Sequence, residues 1–148
     1  MRAWMTRCLT TAAVAGALLG SVTVGAQAST QAPAAESGRC KGFVEVDRHE
    51  LRNASHALFG TVVLYWNATY QMNCVATFKS AAYGVATHTN AYVCTKNGSK
   101  EVCSIDNGNF RFLAETHPLK SPGCVRWGGL VTGIDGFSVA VNKPYGHC

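Results

Sequence analysis

Six cysteines, Cys40, Cys74, Cys94, Cys103, Cys124 and Cys148, are the residues whose type and number bear most directly on chemistry. A thiol can ligate a metal, attack a carbonyl or form a bridge. Zinc sites built on cysteine use close pairs of the form C-x2-4-C, and none of these spacings has that form. An even set of cysteines in a short exported chain reads instead as three disulfides. The histidines, His49, His56, His88, His117 and His147, offer little more. His49 and His56 would share a face only if their segment were helical, and they read as surface residues.

Nucleophilic catalysis needs a nucleophile with a base and an orienting group. No G-x-S-x-G elbow occurs, and each of the six cysteines is better used in a bridge. Glycoside hydrolysis needs two carboxylates across a cleft. The acids are Glu36, Glu45, Asp47, Glu50, Glu101, Asp106, Glu115 and Asp135, and the sequence selects no pair among them. Glu45 and Asp47 alternate along a strand and would share one solvated face. No catalytic residue, metal ligand or cofactor is therefore expected, and the chain reads as non-enzymatic.

The elements begin after a leader. Arg2 and Arg7 precede a small, apolar run from Cys8 to Gly25, and Ala26-Gln27-Ala28 supplies a cleavage site. Residues 1–28 read as a signal peptide carrying the seventh cysteine. Its loss leaves 120 residues, with no further stretch able to span a bilayer as a helix. Residues 29–38 are small and polar, an expected disordered leader, and residues 39–148 form one expected domain. The formal net charge of +5 falls to +3 with the leader gone and is scattered, so nucleic acid is not an expected partner.

The body is a series of short strands. Phe43, Val44 and Val46 begin a weak one, and residues 50–58 read as either a short helix or a loop. Thr61 to Trp66 is a β-branched and aromatic run that turns at Asn67-Ala68-Thr69 and returns through Asn73 to Lys79. A second hairpin turns at Gly98-Ser99, which places Cys94 opposite Cys103 at a non-hydrogen-bonded site suited to a bridge. Asp106 to Asn109 reads as a further turn. Gly128-Gly129 is expected to end the strand from Cys124 to Trp127, and a last strand runs near 137–141, with Phe137, Val139 and Val141 on one face. The fold class is all-β: a small disulfide-linked sandwich or barrel of about seven or eight antiparallel strands. For the other four cysteines the reading favours Cys74 with Cys124 and Cys40 with Cys148. Cys40 with Cys74 and Cys124 with Cys148 is the rival.

Tyr65, Trp66, Tyr70, Tyr83 and Tyr92 cluster in the first half, and exposed aromatics of this kind bind sugars or proteins. Tyr65 and Trp66 are adjacent, so one must face away from the core. Three Asn-x-Ser/Thr triplets begin at Asn53, Asn67 and Asn97 and read as turn residues.

From Cys40 onward the order of motifs resembles the spore-associated protein A family of streptomycetes and related actinobacteria. The carriers are the aromatic strand ending at Asn67, the segment Asn73 to Thr77, the turn at Asp106 to Phe110, Cys124 to Gly129, and the terminal His147-Cys148. Cys94 and Cys103 would be an extra pair for that family, and Phe110 to Leu113 departs from its more Tyr-rich segment. The resemblance implies a secreted protein able to associate with the spore or cell surface, and it implies no catalytic residue. The expected partners are a cell-wall or spore-surface component, or a secreted protein. The alternative is a secreted binding module or protease inhibitor acting through a disulfide-held loop at 114–123.

Overall fold

A computed structural model describes residues 38–148. The expected signal peptide, 1–28, and all but the last residue of the expected leader, 29–38, lie outside the described residues.

Nine antiparallel strands form two sheets. They are β1 (Val44–Arg52), β2 (Leu58–Asn67), β3 (Met72–Lys79), β4 (Thr87–Asn97), β5 (Lys100–Phe110), β6 (Leu113–Glu115), β7 (Leu119–Lys120), β8 (Val125–Thr132) and β9 (Ser138–Gly146). One sheet has the order β1-β2-β3-β6, with the two-residue β7 also on β3; the other has the order β5-β4-β8-β9. Their inner faces share one core, to which β2 gives Val62 and Leu64, β3 Val75, β4 Ala91 and Val93, and β8 Val125, Trp127 and Val131. The architecture is a sandwich, all-β with three disulfides.

Residues 50–58 resolve as strand and turn. β1 runs to Arg52, and the Asn53 side chain then accepts hydrogen bonds from the backbone N–H of Ser55 and Ala57. A short polar side chain that mimics the backbone in this way favours a turn over a helix. The β4–β5 hairpin has the expected two-residue turn, since Asn97 pairs with Lys100 and Cys94 with Cys103. Gly98 carries the turn with φ +61°, a conformation a Cβ would disfavour.

Three local expectations fail for tertiary reasons. β5 runs straight through Asp106 to Asn109, because every residue there pairs with β4 and the Asp106 carboxylate accepts the Glu115 N–H. β8 continues through Gly128-Gly129 to Thr132. These glycines permit close approach: a Cβ on Gly128 would overlap the Val141 carbonyl and the Tyr92 ring, and one on Gly129 would overlap Thr77 Oγ1. Glu45 and Asp47 do not share a face. A bulge at Val46 pairs Glu45 with Tyr65 and Asp47 with Leu64, neighbours that point to opposite faces. Glu45 pairs with Arg48, and Asp47 with His147 at 2.9 Å.

The disulfides are Cys40–Cys74, Cys94–Cys103 and Cys124–Cys148. The favoured Cys74–Cys124 and Cys40–Cys148 pairings are therefore corrected to the rival set. Strand alternation is the reason. Val75 faces the core, so Cys74 points away from the second sheet, whose strand β8 begins just after Cys124. It meets Cys40 on a segment, residues 38–43, laid over the outer face of β2 and β3. There Cys40, Cys74 and Ala76 form a small second core with Phe43, Tyr65 and Phe78 against it. Tyr65 thus leaves the main core without reaching solvent fully, while Trp66 lines a shallow cleft with Val46, Ser121 and His147.

The Glu115 carboxylate holds that segment in place. Its two oxygens accept the backbone N–H groups of Arg39 and Cys40, each at 2.8 Å. Lys79 is also buried, at the end of the inner face of β3. It donates to the carbonyls of Val85 and Phe110 and to Thr87 Oγ1, at 2.7–2.8 Å. Burial among neutral acceptors lowers its pKa.

Candidate functional site

The outer face of the four-stranded sheet carries an organised group of polar side chains. Period-2 alternation selects it: with Ala91 and Val93 in the core, His88, Asn90, Tyr92, Cys94 and Lys96 of β4 must point outward. Register then fixes their neighbours. Asn90 lies between Asn107 and Leu130, Tyr92 between Ile105 and Gly128, and Cys94 between Cys103 and Arg126. On β9, Leu130 meets Ala140 and Gly128 meets Asn142.

Side-chain size along this register shapes a trough of about 450 Å³. Its floor is made of small or apolar residues, Leu130, Ala140 and Gly129; its walls are His88, Asn107, Tyr92, Arg126 and Asn142. Gly128 lets the Tyr92 ring pack close against β8, an aromatic over a cross-strand glycine. The Tyr92 hydroxyl donates to Asn142 Oδ1 across β8, and burial raises its pKa. His88 Nε2 meets Asn107 Oδ1 at 2.7 Å, and Asn90 Nδ2 reaches the same oxygen at 3.4 Å.

One end of the trough is closed by a charged cluster. Arg126 makes a bidentate pair with Glu101, at 2.6 and 2.8 Å, and the Tyr145 hydroxyl donates to the same carboxylate. Tyr145 reaches this face through a bulge in β9, where two residues, Pro144 and Tyr145, stand opposite Arg126 alone. Proline suits that site, an interruption on an edge strand. The Arg126 and Tyr145 hydrogen bonds lower the Glu101 pKa to about 2, and Glu101 in turn raises those of both partners. Lys96 caps the cluster, with Nζ 4.9 Å from the Tyr145 ring centre.

The residues singled out from sequence fall in different places. Of those histidines and aromatics, only His88 and Tyr92 enter this face; of the acids Glu101 joins it as the partner of Arg126, and the Cys94–Cys103 bridge crosses it. His49 lies on β1 and His56 in the following turn at φ +61°, so no helix brings them together. Two groups, Cys40 with Cys74 and Glu115, and Cys94 with Glu101 and Cys103, bring potential ligand atoms within 4.8 Å of one another. Their sulfurs are joined in disulfides, so neither offers a thiolate. The expected loop at 114–123 lies along β3. Its β6 and β7 pair with that strand, and the Ser121 hydroxyl accepts from Asn73. Asn90, Asn107, Asn142 and Arg126 were missed by sequence reasoning. For Asn90 and Arg126 the available signal was the period-2 alternation of β4 and β8; Asn107 and Asn142, on β5 and β9, join them only through strand register.

No protein-family model, curated protein or solved structure matches this chain. The fold and the face define a disulfide-linked all-β sandwich with one open polar sheet. Three disulfides suit an oxidising, extracellular environment.

Proposed function

We propose that this chain is an exported, non-enzymatic protein that attaches to the cell or spore surface and acts there by binding. The observation that supports it is the open, polar face of the four-stranded sheet, held rigid by cross-strand hydrogen bonds and carried on a stapled sandwich. The expected signal peptide at 1–28 and the resemblance of the motif order to the spore-associated protein A family support export and a surface location. A binding surface of this kind needs fixed side chains more than reactive ones, and here His88 is held by Asn107 and Glu101 by Arg126 and Tyr145.

The test is quantitative mass spectrometry of the protein in culture filtrate, vegetative-cell washes and non-lytic detergent washes of spores. Enrichment in a cell or spore wash over the filtrate is the expected result. A protein found almost wholly in the filtrate rules out the surface reading.

A further inference from the structure

We infer that the trough on the four-stranded sheet binds an uncharged polysaccharide chain. This inference rests on the surface-binding reading and names the ligand class that such a site would take.

Charge comes first. Arg126 is the one permanently charged residue in the lining, and Glu101 neutralises it through two hydrogen bonds. An anionic ligand would have to displace Glu101, which itself accepts from Tyr145; a cationic ligand finds no uncommitted carboxylate in the lining. Electrostatic complementarity therefore favours a neutral ligand.

Hydrogen-bonding chemistry narrows the class. Asn90, Asn107 and Asn142 carry paired donors and acceptors, and the bonds described here use only part of that capacity. A sugar hydroxyl is likewise both donor and acceptor, so a row of amides matches a row of hydroxyls. The Leu130–Ala140 floor supplies apolar surface for the C–H faces of sugar rings, bordered by Tyr92, over whose ring the Arg126 guanidinium lies with its central carbon 5.7 Å from the ring centre. The hydrogen bonds from Tyr92 to Asn142 and between His88 and Asn107 fix these groups before a ligand arrives, which reduces the entropy lost on binding.

Shape narrows it further. From His88 to Tyr92 the trough follows β4 for about 13 Å at the usual strand rise, and it is a shallow furrow on a sheet surface. A furrow suits a run of linked rings better than one enclosed small molecule. The Glu101–Arg126–Tyr145 cluster sets one end of the run.

Affinity gel electrophoresis of the folded, disulfide-intact protein tests this, with laminarin, hydroxyethyl cellulose, dextran and mannan as neutral probes and polygalacturonate as the anionic one. Tyr92→Ala would remove packing over Gly128, so the variants are Ala140→Arg, which fills the floor, and Asn142→Ala, both at exposed positions. At least one neutral probe should retard the protein. Ala140→Arg should weaken that binding tenfold or more, and Asn142→Ala several-fold, with thermal unfolding retained. No retardation by any neutral probe, preference for polygalacturonate, or binding unchanged in both variants would overturn the inference. Failure of the surface reading looks different: the glycan is bound and lost in Ala140→Arg, yet the protein stays in the filtrate.

Discussion

Gly129 faces Thr77 across the space between the sheets so closely that a Cβ on Gly129 would overlap Thr77 Oγ1, and that hydroxyl is buried without a hydrogen-bond partner among the described residues. The two sheets are in contact here through a glycine and a threonine, where a sandwich core ordinarily interdigitates larger side chains. Gly129→Ala should destabilise by about 1–3 kcal/mol, the usual cost of overpacking. Thr77→Val keeps the shape and removes the unpaired hydroxyl, so it should be neutral or stabilise by about 1 kcal/mol. Chemical denaturation of the two variants checks both; a destabilised Thr77→Val would mean that the hydroxyl has a partner in solution.

The N-terminal segment should depend on one carboxylate. Glu115→Ala leaves the Arg39 and Cys40 N–H groups without their acceptor and should cost about 2–3 kcal/mol. Hydrogen exchange should accelerate at those two amides while the β4–β5 ladder keeps its protection. The Cys40–Cys74 bridge would still tether the segment, so the loss should appear as local loosening.

Acid should act on Glu101. Its folded pKa of about 2 lies below the ordinary value of 4.5, so the unfolded chain binds the proton more readily between those values. The stabilisation is therefore full above pH 4.5 and is lost as pH falls towards 2. Because Glu101 is exposed, the effect on melting temperature should be modest. Glu101→Gln should flatten that part of the profile, and side-chain carboxyl NMR should follow the titration directly.

The bridges should differ in worth by the loop each closes. Sequence separations of 34, 24 and 9 rank Cys40–Cys74 first, Cys124–Cys148 second and Cys94–Cys103 third. The chain-entropy treatment gives roughly 3.8, 3.5 and 2.7 kcal/mol. Paired Cys→Ser variants, compared by denaturant midpoint, test the order. Non-reducing peptide mapping checks the connectivity, and a Cys74–Cys124 peptide would contradict the arrangement described here.

Local features of this protein were legible in its residues. Gly98-Ser99 centres a hairpin, so Cys94 and Cys103 could be paired by counting outward from a two-residue turn. The apolar run from Thr61 to Trp66 announced a strand, and Val139 and Val141 share a face as expected, whereas Phe137, expected beside them, precedes β9 and is exposed. The candidate site was legible only in part. Tyr92 stood out as an aromatic of strand type, but Asn107 belonged to an expected turn and Arg126 and Asn142 drew no notice. Each gains its meaning from a neighbour on another strand.

The all-β class, the cysteine inventory and the Cys94–Cys103 bridge follow from the residues alone, because turn chemistry and period-2 alternation act between residues close along the chain. The tertiary structure alone decided that Cys74 points outward to Cys40, that Glu115 holds the segment beside it, and that β8 continues through Gly128-Gly129. It also decided that polar residues from β4, β5, β8 and β9 line one trough. Those outcomes depend on strand register and on which sheet face is covered. Such long-range pairings are selected by how the whole core packs, and no single segment encodes them.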